Sequence, residues 1–273
     1  MPWWLGLSLP QGLPIIGGSI NGFAHSSRPY ALNGRAMNPD LNALHPYPFE
    51  KLAALKATLT PPAGLTHIPL TIGEPQHAPY QGALDALVAH QLEMARYPAT
   101  NGLPALRETI AAWATQRFAL AGLDAERQVL PVNGTREAIF AFVQAALDRT
   151  RPAQVAVPNP FYQIYEGATL LAGGQPLYLD CTAENGFRPD FSAVSADTWR
   201  DVQIVFICSP GNPTGAVTPL AEFKELIALA DEHDFIIASD ECYSELYLDE
   251  STPPPGLLQA CAELGRDDYR RCV

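Results

Sequence analysis

Lysine is scarce in this chain: Lys51, Lys56 and Lys224 are the only three in 273 residues. Bases number 17 against 29 acids, a formal net charge of −12. No basic patch or stripe exists, which argues against nucleic acid and anionic membrane surfaces as partners. The five cysteines (Cys181, Cys208, Cys242, Cys261 and Cys272) are odd in number and scattered, without metal-ligand spacing. They make neither a disulfide framework nor a metal site, and a reduced, cytoplasmic protein is expected. No stretch approaches the roughly 18 to 20 apolar residues of a membrane helix. A nucleotide-binding reading needs G-x-G-x-x-G or G-x-x-x-x-G-K-[ST] at a strand–helix junction, and neither is there. Internal repeats and low-complexity tracts are also missing.

What remains is a globular composition, 47% hydrophobic, long enough for one large α/β domain with a smaller one. Residues 1–36, with Trp3-Trp4 and several Gly and Pro, differ in character from the rest. They read as translated upstream sequence ahead of a start at Met37, or as a disordered or swapped arm. Their apolar portion lacks the basic start of a secretory signal. Residues 37–75 form an N-terminal segment, and 76–273 the larger block. Helices are expected over 46–58, 80–94, 105–120, from 135 on, 162–171 and 219–233. The last carries Leu220, Phe223, Leu226, Ile227 and Ala230 on one stripe. Strands are expected at 68–72, 129–132, 155–157, 176–179, 202–207 and 235–238, the last two as continuous apolar runs. Such runs suit strands buried on both faces of a parallel sheet, and strand–helix alternation makes a mostly parallel sheet the expected architecture.

Chemistry collects where these strands give out. Asn133-Gly134-Thr135 opens a helix after a strand, so its free N–H groups form either a phosphate cradle or an ordinary cap. Asp240 ends an apolar strand with no basic neighbour in sequence. A carboxylate there caps the next turn or meets a cation such as a protonated pyridine nitrogen. Tyr243 lies three residues on, within reach of the same ligand. Asn212 sits in Pro210-Gly-Asn-Pro-Thr-Gly215, a turn that serves as a plain connector or aims its amide at a phenolate-like oxygen. Tyr162 follows the break Pro158-Asn-Pro160, either as core packing or as an aromatic plane beside the crevice. In open α/β sheets ligands bind outside the carboxyl ends of the strands, where these residues would gather.

Six pieces in this order resemble the class I/II aminotransferases, pyridoxal-phosphate enzymes of the aspartate aminotransferase fold. They are Gly73-Glu-Pro75, Tyr97 ahead of Gly102-Leu-Pro-Ala-Leu-Arg107, Asn133-Gly-Thr135, Pro160-Phe-Tyr162, Ser209-Pro-Gly-Asn-Pro-Thr-Gly215 and Ser239-Asp-Glu-Cys-Tyr243. The resemblance runs from Met37 to the C-terminus. Met37-Asn-Pro-Asp-Leu41, His45-Pro-Tyr-Pro-Phe-Glu-Lys-Leu52, the stretch from Asp240 to Tyr247 and Gly265-Arg-Asp-Asp268 narrow it to the N-succinyldiaminopimelate aminotransferases of lysine biosynthesis. The resemblance implies a fold-type I α/β large domain with helices on both faces of its sheet, and an incomplete small domain that includes 37–75. It implies that Gly134, Thr135 and Arg136 line the phosphate end of pyridoxal 5′-phosphate and that Tyr162 stacks on the ring. Asp240 would keep the ring nitrogen protonated, while Asn212 and Tyr243 bond its phenolic oxygen. Tyr97 would reach the cofactor of a second subunit in a homodimer. Gly73 and Asn212 would lie at the substrate. The reaction implied is amino transfer between N-succinyl-LL-2,6-diaminopimelate and 2-oxoglutarate. Another aminotransferase of the class or a lyase on the same fold shares these cofactor residues, and a non-catalytic effector-binding module is a more distant alternative.

One departure stands out. The family's Schiff-base lysine falls a few dozen residues beyond the strand-end aspartate, yet no lysine follows Lys224. The expectation is therefore a chain cut before its catalytic lysine, with that residue beyond Val273, inactive by itself and poorly soluble along the open edge of its sheet.

Overall fold

The computed structural model describes residues 31–32, 35–36, 38–73 and 76–273. The expectation for the leader therefore lies largely outside the described residues, as do Met37 and Glu74-Pro75 of the Gly-Glu-Pro piece. In chain order, a two-residue hairpin pairs β1 (Ala31–Leu32) with β2 (Arg35–Ala36). The helices α1 (Pro48–Ala57), α2 (Gln81–His90) and α3 (Pro104–Arg117) follow. Then come α4 (Thr135–Ala146), β3 (Gln154–Asn159), α5 (Gln163–Leu171), β4 (Gln175–Asp180) and α6 (Ala196–Trp199). β5 (Val202–Cys208), α7 (Leu220–His233), β6 (Ile236–Asp240) and α8 (Leu257–Glu263) complete the set. Proline starts α1 and α3 within the first two positions, where its missing N–H has no intrahelical partner to lose.

Strands β4-β3-β5-β6 form a four-stranded sheet in that order, all parallel. Its two faces feed two separate cores, and β5 shows why its apolar run is continuous. Val205 and Ile207 point into a cluster with Phe223, Leu226, Ile227 and Ala230 of α7 and Leu257 and Ala260 of α8. Ile204 and Phe206 point the other way, to Val143 of α4 and Tyr165 and Ala168 of α5. Each fully buried aliphatic or aromatic side chain is worth roughly 1.5–3 kcal/mol, so both layers hold the strand in register.

Two expected strands do not form. Residues 68–72 carry no ladder, and Ile68, Leu70 and Ile72 are exposed. Residues 129–132 likewise run as coil, with Leu130 exposed and Val132 half-exposed. Apolar content is not enough for a strand without a neighbour to bond, and neither segment meets one among the described residues. The helix expected over 80–94 ends at His90 and continues as a 3₁₀ turn, Gln91–Ala95.

The sheet opens at one end. β3 and β4 stay paired to Asn159↔Asp180, and β5 and β6 to Cys208↔Asp240. β3 and β5 pair only as far as Ala156↔Val205. Because the chain runs outward from β3 to β4 and then returns to the far side of β3, this splayed seam is the topological switch point of the sheet. Beyond β6, Ile237 bridges Cys272 in parallel, and the Ser239 N–H donates to the Val273 carbonyl at 2.7 Å.

Candidate active site

At the splayed seam, β3 delivers Tyr162, β5 delivers Cys208 and the Asn212 turn, and β6 delivers Asp240. The N-terminus of α4 faces them. Arg136 Nε donates to the Tyr162 hydroxyl at 2.8 Å, and this bond raises the guanidinium pKa further. The Tyr162 ring stands edge-on to Tyr165, with centroids 6.0 Å apart. Tyr165 Oη in turn donates to Asp240 Oδ2 at 2.6 Å. On the other side, the Cys242 N–H donates to Asp240 Oδ1 at 3.3 Å, and Cys242 Sγ lies 3.6 Å from Thr135 Oγ1. Asp240 is thus oriented through both oxygens, and the Cys242 contact links it to the first turn of α4.

Local conformation explains why these residue types stand here. Gly134 caps α4 with φ of +141°, a backbone that L side chains rarely adopt. Its missing Cβ leaves room into which Glu137 folds its carboxylate; an added Cβ would meet Glu137 Oε2 at 2.5 Å. The start of α4 offers free N–H groups and the positive end of the helix dipole, the features a phosphate would meet there. Within the next turn, the Gly215 N–H donates to the Gly211 carbonyl at 2.7 Å and the Gly211 N–H to Ala216 at 2.8 Å, which closes the loop around Asn212. The Asn212 N–H points at the Cys208 sulfur.

Burial pushes the Cys208 thiol up to about 11, and the nearby Asp240 carboxylate adds to it. The Tyr243 phenol is raised for the same leading reason, so it stays protonated and able to donate. The turn carrying Tyr243 is clamped from behind. Arg117 donates to the Ser244 and Pro254 carbonyls at 3.0 and 3.1 Å and to Glu245 Oε1 at 2.7 Å. Glu241 Oε1 accepts from the Leu257 N–H and from Ser239 Oγ, both at 2.8 Å. A cavity of about 760 Å³ opens beside Asp240, walled by Thr135, Ile139 and Phe142 of α4, by Ala238 and by Val273.

Thr135, Arg136, Tyr162, Asp240 and Tyr243 are brought together with Gly134, whereas Asn212 lines a separate narrow cleft with Cys181, Phe187 and Arg188. Gly73 and Tyr97 also stand apart. Gly73 lies in an exposed stretch with open space around it, and Tyr97 is fully exposed. None of the three lysines enters the site: Lys51 and Lys56 ride exposed on α1, and Lys224 on α7 pairs with Glu263 at 2.6 Å. Sequence reasoning did not find Tyr165, Arg117 or Glu241. Tyr165 was legible in principle, because i, i+3 spacing from Tyr162 puts both rings on one side of α5. The two clamps were not, since each joins residues far apart in sequence.

The family model "Aminotransferase class I and II" matches residues 66–269. The chain belongs to the class I and II aminotransferases. Among curated members, it is 37% identical over 223 residues to the LL-diaminopimelate aminotransferase of Moorella thermoacetica, covering 81% of this chain and 56% of that one. The corresponding protein of Nitratidesulfovibrio vulgaris is 34% identical, at 80% and 56% coverage. Among solved structures, an aminotransferase from Neisseria meningitidis superposes with a TM-score of 0.80 and 46% identity, over 86% of this chain and 60% of that one. One from Helicobacter pylori gives 0.77 and 37%, over 84% and 59%. The chain therefore spans a little over half the length of the aminotransferases it matches. The fold is the fold-type I, aspartate aminotransferase-like α/β architecture, with the small domain covered only in part.

The site residues fit pyridoxal 5′-phosphate, the cofactor expected of this family. A carboxylate held through both oxygens suits a ring nitrogen, the α4 N-terminus suits a phosphate, and Tyr162 offers an aromatic face between them. Among the described residues, no helix is long and apolar enough to cross a membrane, and no cluster of His, Cys, Asp and Glu could hold a metal ion.

Proposed function

We propose that the protein of which these residues form part is a pyridoxal-phosphate-dependent aminotransferase of diaminopimelate metabolism. In this reading it moves an amino group between N-succinyl-LL-2,6-diaminopimelate and 2-oxoglutarate, in the cytoplasm and as a homodimer. The observation that carries the reading is the doubly held Asp240 at the switch point, with the start of α4 linked to it through Cys242 and Thr135. When bound, pyridoxal 5′-phosphate supplies the electron-withdrawing ring that accepts and returns the amino group.

This chain's residues then divide the work. Asp240 keeps the ring nitrogen charged, and Asn212 and Tyr243 donate to the ring's phenolic oxygen. Tyr162 packs on the ring face. The backbone at Gly134 and the Thr135 hydroxyl would donate to the phosphate, and Arg136 would offset its charge. Asn212 and Gly73 border the substrate, and Tyr97 serves the site of a second copy. Its full exposure agrees with that assignment. The lysine that links to the cofactor comes from sequence following Val273. The absence of lysine after Lys224 and the partial span of the relatives support this. Reading the frame onward should reveal a lysine within about a dozen codons, and its absence there would sink this part of the reading.

A second reading has specific support. The curated relatives are named for LL-diaminopimelate itself, without the succinyl group. Presenting both amino acids to the completed protein, with 2-oxoglutarate as acceptor, separates the two. The succinylated donor should react faster. Faster reaction of the free diamine would favour the second reading, and inertness toward both would overturn the diaminopimelate assignment.

A further inference from the structure

Tyr165 is a fully buried tyrosine that neither the sequence motifs nor the cofactor reading uses. It sits in the first turn of α5, and its ring lies flat on Phe206 of β5, with centroids 4.6 Å apart and planes 10° from parallel. The hydroxyl passes over β5 and ends on Asp240 Oδ2 of β6 at 2.6 Å. Cys208, which faces Asp240 in the β5–β6 register, flanks the same hydroxyl. Phe206 and Tyr165 belong to one core layer with Val143 and Ala168, so the ring has no room to swing away. Most fully buried tyrosine hydroxyls need only some acceptor. This one spends its hydrogen bond on the single carboxylate that the site presents to a ring nitrogen.

We propose that Tyr165 is a positioning residue. It acts as a rigid strut from the core that fixes the rotamer of Asp240, leaving Oδ1 aimed into the crevice for the pyridinium N–H of the cofactor. The inference rests on the cofactor reading above and adds a residue to it. The physical reasons are two. Hydrogen bonds to charged groups are among the stronger ones in proteins, and a carboxylate held from behind pays less ordering entropy when its ligand arrives. Edge contact between Tyr165 and Tyr162 also joins the strut to the ring that Arg136 holds. One buried side chain thus ties the nitrogen end of the site to its phosphate end.

Pyridoxamine 5′-phosphate tests this, because it binds without a covalent bond to lysine. Its affinity for the completed protein, and the ¹⁵N chemical shift of its labelled ring nitrogen when bound, are measured for four proteins: unmodified, Tyr165→Phe, Asp240→Ala and the double variant. Tyr165→Phe keeps the ring stack and removes only the hydroxyl. It should weaken binding about tenfold, the factor that corresponds to 1.4 kcal/mol, and lower the protonated fraction of the ring nitrogen. In the Asp240→Ala background, Tyr165→Phe should have no further effect, since the strut would have nothing left to hold. Thermal melts and near-ultraviolet circular dichroism identify any variant that fails to fold; if Tyr165→Phe does, Phe206→Leu, which removes the ring beneath the strut, takes its place with the same expectation. A Tyr165→Phe protein that matches the unmodified chain in affinity and nitrogen protonation, while Asp240→Ala loses both, overturns the strut and leaves the role of Asp240 standing. Equal losses from Tyr165→Phe in both backgrounds reduce it to a packing residue. Failure of the completed, unmodified protein to bind overturns the cofactor reading and the strut with it.

Discussion

Asp240 is a residue whose surroundings say more than its position in sequence. It takes one hydrogen bond from a buried phenol and one from the backbone of its own turn. If it is the group that keeps the ring nitrogen charged, Asp240→Ala in the completed enzyme should slow turnover by on the order of 100-fold or more, as loss of a preorganised electrostatic group does. The melting temperature should fall modestly, because the buried Tyr165 hydroxyl loses its acceptor at a cost of about 1–3 kcal/mol; unchanged kcat would remove the role. Cys208 gives a pH test at the same scale. The thiolate is the reactive form, and burial lifts this thiol from its ordinary 9.0 to about 11. Iodoacetamide should therefore leave Cys208 largely unmodified at pH 9, with labelling, followed by mass spectrometry of the peptides, rising steeply toward pH 11. The sign carries over to stability. The unfolded thiol loses its proton first, so the folded state binds more protons between pH 9 and 11 and its stability falls across that window. Half-labelling of Cys208 near pH 9 in the folded chain would contradict the assignment.

At the scale of elements, the sheet was legible and the N-terminal third much less so. β5, α7 and β6 appear as expected because a period-3.6 stripe and two apolar runs coincide with two real packing layers. Residues 68–72 and 129–132 look the same to the eye but lack a neighbouring strand. Pattern reports which side chains prefer burial, and the partner that permits it lies elsewhere in the chain. The same limit hid Arg117 and Glu241, whose hydrogen bonds reach across the molecule. Asp240, Tyr162 and Gly134 were visible because each punctuates a strand or opens a helix. Gln203 shows how much one polar side chain can do between elements. Almost fully buried in β5, it accepts from the Asp148 N–H at 2.8 Å and donates to the Asp148 and Pro152 carbonyls at 2.9 Å. It thereby pins the connection between α4 and β3. Gln203→Leu should cost about 3 kcal/mol, read from the urea midpoint, because three backbone groups lose their partner. A loss under about 0.5 kcal/mol would show that water replaces the amide without penalty.

At the scale of the molecule, apolar surface is unevenly distributed. Leu87 and Val88 of α2 are exposed, and Leu92, Met94 and Tyr97 follow them in the open. Scattered exposed hydrophobics are normal, but such a run marks a surface made to be covered. The chain should therefore associate as its concentration rises, which light scattering across a dilution series would detect. Replacing Leu87 and Val88 together by Glu should reduce that association without lowering the melting temperature. Monomeric behaviour at high concentration would show that the patch is tolerated as it stands.

The alternation of β5 between two cores carries a consequence for how such a site is kept true. Sliding that strand by a single position would exchange Phe206 with Ile207, forcing an extra ring into a layer already filled by Phe223 and Phe235 and stripping Tyr165 of its floor. The same slip would carry Cys208 away from Asp240 and the Asn212 loop away from the seam. Greasy contacts on either side of one strand therefore act as a vernier for the polar groups at its tip. Chemistry at the rim inherits its alignment from packing well beneath it.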